Sequence, residues 1–306
     1  MMSASRSVVA AVLALVALCL SARADEAEKT SAGEKYTLRY KFSPAETIRW
    51  EVVHRAKIRT TVSGTTQTAE TVSSSVKVWR VTGVDDAGAA TFENMVDSVD
   101  MSQKLTGRAE VRYNSQSDKE PPPGFENVAA SLGVALSVIT MDDRGKIVQR
   151  QQKQNKAATS ENEGQITIPL PEQPIAAGET WSFPYDVDVP LPNGTIKKVK
   201  AQQKYTLTEV KEGIAFIEVT TQILTPIHDP AVEAQLIQRE SHGTVKFDVE
   251  AGRVVGQQMD LDRRVVGFRG EASSLHYVMR FTEDLITGQE AKTASRPETG
   301  TDTEKK

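Results

Sequence analysis

Apolar and polar residues alternate with a period of two along most of this chain. Tyr36, Leu38, Tyr40 and Phe42 fall on one side of an extended segment, and Thr37, Arg39 and Lys41 fall on the other. The next run sets Ile48, Trp50, Val52, Ala56, Ile58 and Val62 against Arg49, Glu51, Arg55, Lys57 and Arg59. Successive side chains of a strand point to opposite faces, so this pattern predicts antiparallel strands with one face in a core and the other in water. It returns over 105–113, 181–191 and 275–281. Between the runs stand turn formers: Asp85-Asp86-Ala87-Gly88, Asp142-Asp143-Arg144-Gly145, Pro192-Asn193-Gly194, Lys211-Glu212-Gly213 and Glu250-Ala251-Gly252.

A helical period occurs twice. Phe125, Val128, Ala129 and Leu132 fall at i, i+3, i+4 and i+7, and Gly133 ends the pattern. Later, Asp229 is placed to cap a helix, Pro230 to take its first position, and Val232 and Leu236 to share a face. Each stretch predicts about three turns.

The halves of the chain run in parallel. Glu46-Thr47-Ile48-Arg49-Trp50 matches Glu179-Thr180-Trp181. Lys77-Val78-Trp79-Arg80-Val81 with its turn at Gly88 matches Lys204-Tyr205-Thr206-Leu207 with its turn at Gly213. The stretch from Gly133 to Gly145 matches that from Gly243 to Gly252. This order predicts a duplicated unit. The fold class expected is mainly β (α+β): antiparallel meander sheets forming an open half-barrel or two tandem β-rich repeats, each with one short helix. The boundaries are a signal peptide over 1–24, a first repeat over 36–150, a polar connector over 151–165, a second repeat over 166–287 and a disordered tail over 288–306.

The amino terminus sets the expected compartment. Arg6 precedes an apolar run over 8–20, and Ala22-Arg23-Ala24 has the small-x-small form that signal peptidase cuts. The run falls short of the ~20 residues of a spanning helix, and Asp25, Glu26, Glu28 and Lys29 follow at once. An uncleaved anchor and lipid attachment at Cys19 are the competing readings, but Leu18 is too bulky to precede a lipidated cysteine. Cutting after Ala24 removes Arg6 and Arg23 but no acid, so 37 basic residues become 35 against 41 acidic ones, a formal charge of −6. That balance argues against nucleic acid as a partner. The cut also removes the single cysteine, so the fold must hold by its core without disulfides, and thiol chemistry is excluded.

The chain carries no G-x-S-x-G, H-E-x-x-H, Walker or G-x-G-x-x-G motif, and no cofactor is expected. His228, Asp229 and His242 could in principle hold a metal, but their spacing fits no ligand motif. His54 occupies an inward slot between Val52 and Ala56, four residues after Trp50. It is either a polar handle in a ligand cavity or a core histidine bonded to a backbone carbonyl. Trp50, Trp181, Tyr185 and Tyr205 are core aromatics or the walls of an apolar cavity. The candidate ligand-binding residues are therefore Trp50, His54, Trp181 and Tyr205.

Three stretches carry a resemblance: Leu38-Arg39-Tyr40-Lys41-Phe42-x-Pro44-x-Glu46-Thr47, Pro174-x-x-x-Gly178-Glu179-Thr180-Trp181 and Gly243-Thr244-Val245-x-Phe247-Asp248-x-x-x-Gly252-Arg253. In them the chain resembles a family of secreted bacterial proteins of unknown function built as paired β-rich repeats. The resemblance implies fold and location but brings no catalytic residue. A remoter likeness, of architecture alone, is to the lipoprotein carriers of the periplasm, whose half-barrels hold acyl chains. The first expectation for function is a non-enzymatic periplasmic or extracellular protein. It would bind a lipid-like, apolar or amphipathic ligand, or an envelope partner, with no transmembrane segment in the mature chain. The alternatives are a hydrolytic enzyme with carboxylates assembled from distant strands, and a structural envelope protein without a pocket. N-terminal sequencing of the exported protein is expected to begin at Asp25; a start at Met1 or a lipidated Cys19 would exclude the cleavage site.

Overall fold

The computed structural model describes residues 33–153 and 165–288. The predicted signal peptide, residues 154–164 of the connector and nearly all of the tail lie outside the described residues. The chain divides into Met1–Lys35 and a compact unit that starts at Tyr36.

Strand β1 is only Lys35–Tyr36 and stands outside the main sheet. Three long strands follow: β2 (Thr47–Val62), β3 (Thr65–Val84) and β4 (Ala90–Leu105). The short β5 (Val111–Asn114) pairs with β4. Helix α1 (Glu126–Ala130) then leads to the hairpin of β6 (Ser137–Met141) and β7 (Ile147–Gln152). After the two-residue β8 (Ile175–Ala176) come the long strands β9 (Thr180–Pro190), β10 (Ile196–Lys211) and β11 (Ile214–Ile223), helix α2 (Pro230–Leu236), then the hairpin of β12 (His242–Asp248) and β13 (Arg253–Val266). One further strand, β14 (Ser273–Leu285), ends the sheet-forming chain.

Each half is an antiparallel meander, and β14 joins them. It pairs with β13 on one side and with β2 on the other, from Ser273 opposite Val62 to Leu285 opposite Trp50. The result is one antiparallel sheet in the order β7-β6-β4-β3-β2-β14-β13-β12-β11-β10-β9, whose two ends do not pair to close a barrel. Core residues of both halves form a single cluster, with Trp50, Trp79 and Phe92 from the first and Tyr205, Ile217 and Phe247 from the second. Complete burial of side chains this large contributes about 1.5–3 kcal/mol each.

The segment 37–42 departs from the sequence expectation. Its alternation is real, since Leu38 and Tyr40 are buried, but it is not a strand of the sheet. Single bonds from two different hairpins hold it instead: the Tyr40 N–H donates to Asp143 O at 2.7 Å and the Lys41 N–H to Gly252 O at 3.0 Å. The Tyr40 ring packs edge-on against Phe247, and its hydroxyl donates to Ile168 O at 2.9 Å. The helices are also shorter than three turns. Helix α1 spans five residues, without a side-chain cap. In α2 the Asp229 side chain accepts from the Ala231 N–H and Pro230 takes the first turn as expected, before a 3-10 turn over Ile237–Arg239.

Two turn glycines make room for the 37–42 segment. Gly145 and Gly252 have φ of 82° and 64°. A β-carbon at Gly145 would lie 2.7 Å from Ile168 O, and one at Gly252 2.7 Å from Arg39 O. At Gly64, with φ of 81°, nothing lies within 4 Å of the same position. Gly64→Ala is therefore expected to cost only the left-handed backbone strain, about 1–2 kcal/mol. Gly252→Ala adds a backbone clash and is expected to cost roughly 1–3 kcal/mol more. Urea denaturation checks this, and equal midpoints for the two variants would contradict the close approach.

Candidate functional site

Beside the core, the concave face of the sheet leaves a cavity of about 930 Å³. Trp79, Tyr205 and Val219 reach it from the buried core, and Ile147, Phe183, Met259 and Phe281 supply further apolar wall. Both halves contribute, through β3, β4 and β7 and through β9, β10, β11 and β13.

An ion pair occupies its wall. Lys77 on β3 shares the inward face with Trp79, and Glu283 on β14 shares it with Phe281. Nζ of Lys77 lies 2.6 Å from Oε1 of Glu283, with side-chain exposures of 18% and 6%. The same ammonium sits 4.5 Å from the centroid of the Trp50 ring and 5.0 Å from that of Trp79, so two aromatic faces share its charge with the carboxylate. Burial lowers the Lys77 pKa and Glu283 opposes that shift. This pair escaped the sequence reasoning; the available signal was Glu283, a lone charge in the register Tyr277, Met279, Phe281, Leu285, whereas Lys77 follows Ser73 and Ser75 and gives none.

The four sequence-predicted residues divide. Tyr205 reaches the cavity; it is 1% exposed, donates to Gln203 Oε1 at 2.7 Å, and burial raises its pKa. Trp50 lies beneath, in the core, where its indole N–H donates to Val254 O at 3.0 Å and its ring packs on Trp79. Trp181 is half-buried, stacks on Tyr205 with centroids 5.3 Å apart, and donates to Pro169 O at 2.7 Å. His54 shares the inward face but is not among the residues lining the cavity; partial burial lowers its pKa. Tyr205 thus meets the cavity while Trp50 and Trp181 back it. Among the described residues no group of three His, Cys, Asp or Glu side chains is placed to hold a metal ion, and no helix is long and apolar enough to cross a membrane.

Residues 124–254 match DUF6263, a family of unknown function. The match covers less than half of the chain, from just before α1 to the start of β13. No curated protein matches the chain. Among solved structures, lipovitellin, described for its lipid–protein interactions, is 11% identical with a TM-score of 0.40 over 81% of this chain and 26% of its own. This chain therefore spans about a quarter of lipovitellin's length. DynF of the dynemicin biosynthesis pathway of Micromonospora chersina is 8% identical with a TM-score of 0.21, over 85% of this chain and 93% of its own. OpdQ of Pseudomonas aeruginosa is 7% identical with a TM-score of 0.22, over 79% and 99%. At these scores the strand order above, and not an overlay, defines the fold.

Lys77→Met leaves a buried carboxylate without its partner and is expected to cost about 3–5 kcal/mol. Lys77→Met combined with Glu283→Gln should recover much of that loss. Urea denaturation of the two single variants and the double one measures the coupling, and simple additivity would mean the groups do not depend on each other.

Proposed function

We propose that the protein is an exported, non-enzymatic binding protein that holds an amphipathic ligand against the concave face of its sheet. The cavity carries this reading. Its 930 Å³ lies within the roughly 300–1,000 Å³ of small-molecule sites, and its aromatic and aliphatic walls stand beside polar groups such as Gln203, Gln257 and Asn94. Such a mixed lining suits a molecule with an apolar body and a polar end. The N-terminal sequence supports export, and the shared element order of 47–152 and 180–266 supports an internal repeat. A cleft of this size weighs against a structural protein without a pocket. The hydrolytic alternative has little support, because of the two carboxylates lining the cavity, Asp186 and Glu283, the second is committed to Lys77.

Native mass spectrometry of the protein purified from its own host is expected to show a bound small molecule that organic extraction removes. The extracted protein should then bind the neutral dye N-phenyl-1-naphthylamine, and Met259→Trp, which adds bulk to the cavity wall, should weaken that binding. A ligand-free mass together with no dye binding would overturn the proposal.

A further inference from the structure

The charge inside the cavity runs against the charge of the chain. The whole sequence carries a formal charge of −4. The cavity lining carries the opposite excess: Lys77, Lys146, Arg150, Lys198 and Arg239 against two carboxylates. Lys77 is neutralised by Glu283 at 2.6 Å, and Asp186 offsets Lys198 in the count. The excess does not depend on Arg150, for without it four cations still face two acids.

Lys146 and Arg239 are the informative pair. Lys146 follows the Gly145 turn of the first half, and Arg239 ends the 3-10 turn of the second. Neither has a carboxylate within ion-pair distance among the described residues, whereas most other arginines of the sheet, such as Arg112, Arg263 and Arg280, are paired with acids. Arg239 also acts on the cavity: its charge opposes the effect of burial on the Tyr185 hydroxyl, another lining group. Two cations from different halves, left unneutralised beside an apolar cavity, are what an anionic group would recognise.

Resting on the binding function proposed above, we infer that the ligand is an anionic amphiphile, its apolar body against Phe183, Met259 and Phe281 and its carboxylate or phosphate facing Lys146 and Arg239. The two cations are exposed, so reversing them leaves the core untouched.

The test is displacement of N-phenyl-1-naphthylamine from the extracted protein by palmitate, by hexadecanol and by inorganic phosphate. Palmitate should displace the dye at about tenfold lower concentration than hexadecanol, the effect expected of two exposed charge contacts. Added salt should narrow the gap. In the Lys146→Glu, Arg239→Glu double variant the preference should vanish while hexadecanol binds as before and the urea midpoint holds. Phosphate alone should displace nothing. Equal displacement by palmitate and hexadecanol, or a preference that survives the double variant, would overturn the anionic assignment while leaving the binding function intact. Phosphate displacing the dye as well as palmitate does would mean a site for a free anion and overturn the amphiphile. Dye binding that never occurs defeats the binding function itself.

Discussion

The ladder between β2 and β14 is the constraint on which the rest of the molecule depends. Each half alone is a meander that its own short helix covers only in part. Pairing the first long strand with the last makes one continuous sheet, and the inward faces of both halves then meet in a single core. The segment 37–42 and the hairpin turns at Gly145 and Gly252 close over part of that core. The cavity is the portion of the concave face left uncovered.

The same ladder places the buried ion pair. Glu283 on β14 stands opposite Val52 on β2, and Lys77 stands opposite Trp50 on the neighbouring strand β3. The attraction therefore reaches across the joint between the halves. Its favourable part is the contact with Glu283 and the two indole faces, and its cost is desolvation of an ammonium and a carboxylate. Placing that cost at the junction favours one register, because a slip of one residue between β14 and β2 would put Glu283 on the opposite face of the sheet from Lys77.

Much of the fold was legible in the sequence because strand burial writes itself as a period of two. Ile48, Trp50, Tyr205 and Tyr277 were all readable as inward, and all are buried. The 37–42 segment was misread because alternation reports which side chains are buried and not what the backbone bonds to; here the partners are isolated groups on two distant hairpins. The site was legible only in part. Aromatic residues such as Tyr205 stood out, while Lys146 and Arg239 look like any solvated cation until the sheet curves them to one cavity. Their place at the cavity, with no carboxylate within ion-pair distance among the described residues, is a property of three-dimensional neighbours that spacing along a chain does not encode.

The union of the first long strand with the last also governs how the molecule must be made. Trp50 pairs with Leu285, so the ladder that unites the sheet forms only when nearly the whole chain is available. Until then β2 presents an unpaired edge, able to recruit any other extended chain nearby. A fold whose decisive contacts join such distant positions assembles slowly, because a very large loop must close before the pairing repays its entropy. The nascent chain therefore carries its greatest hazard of mispairing for the longest time, and a ribosome that stalls before β14 leaves a fragment with a sticky seam.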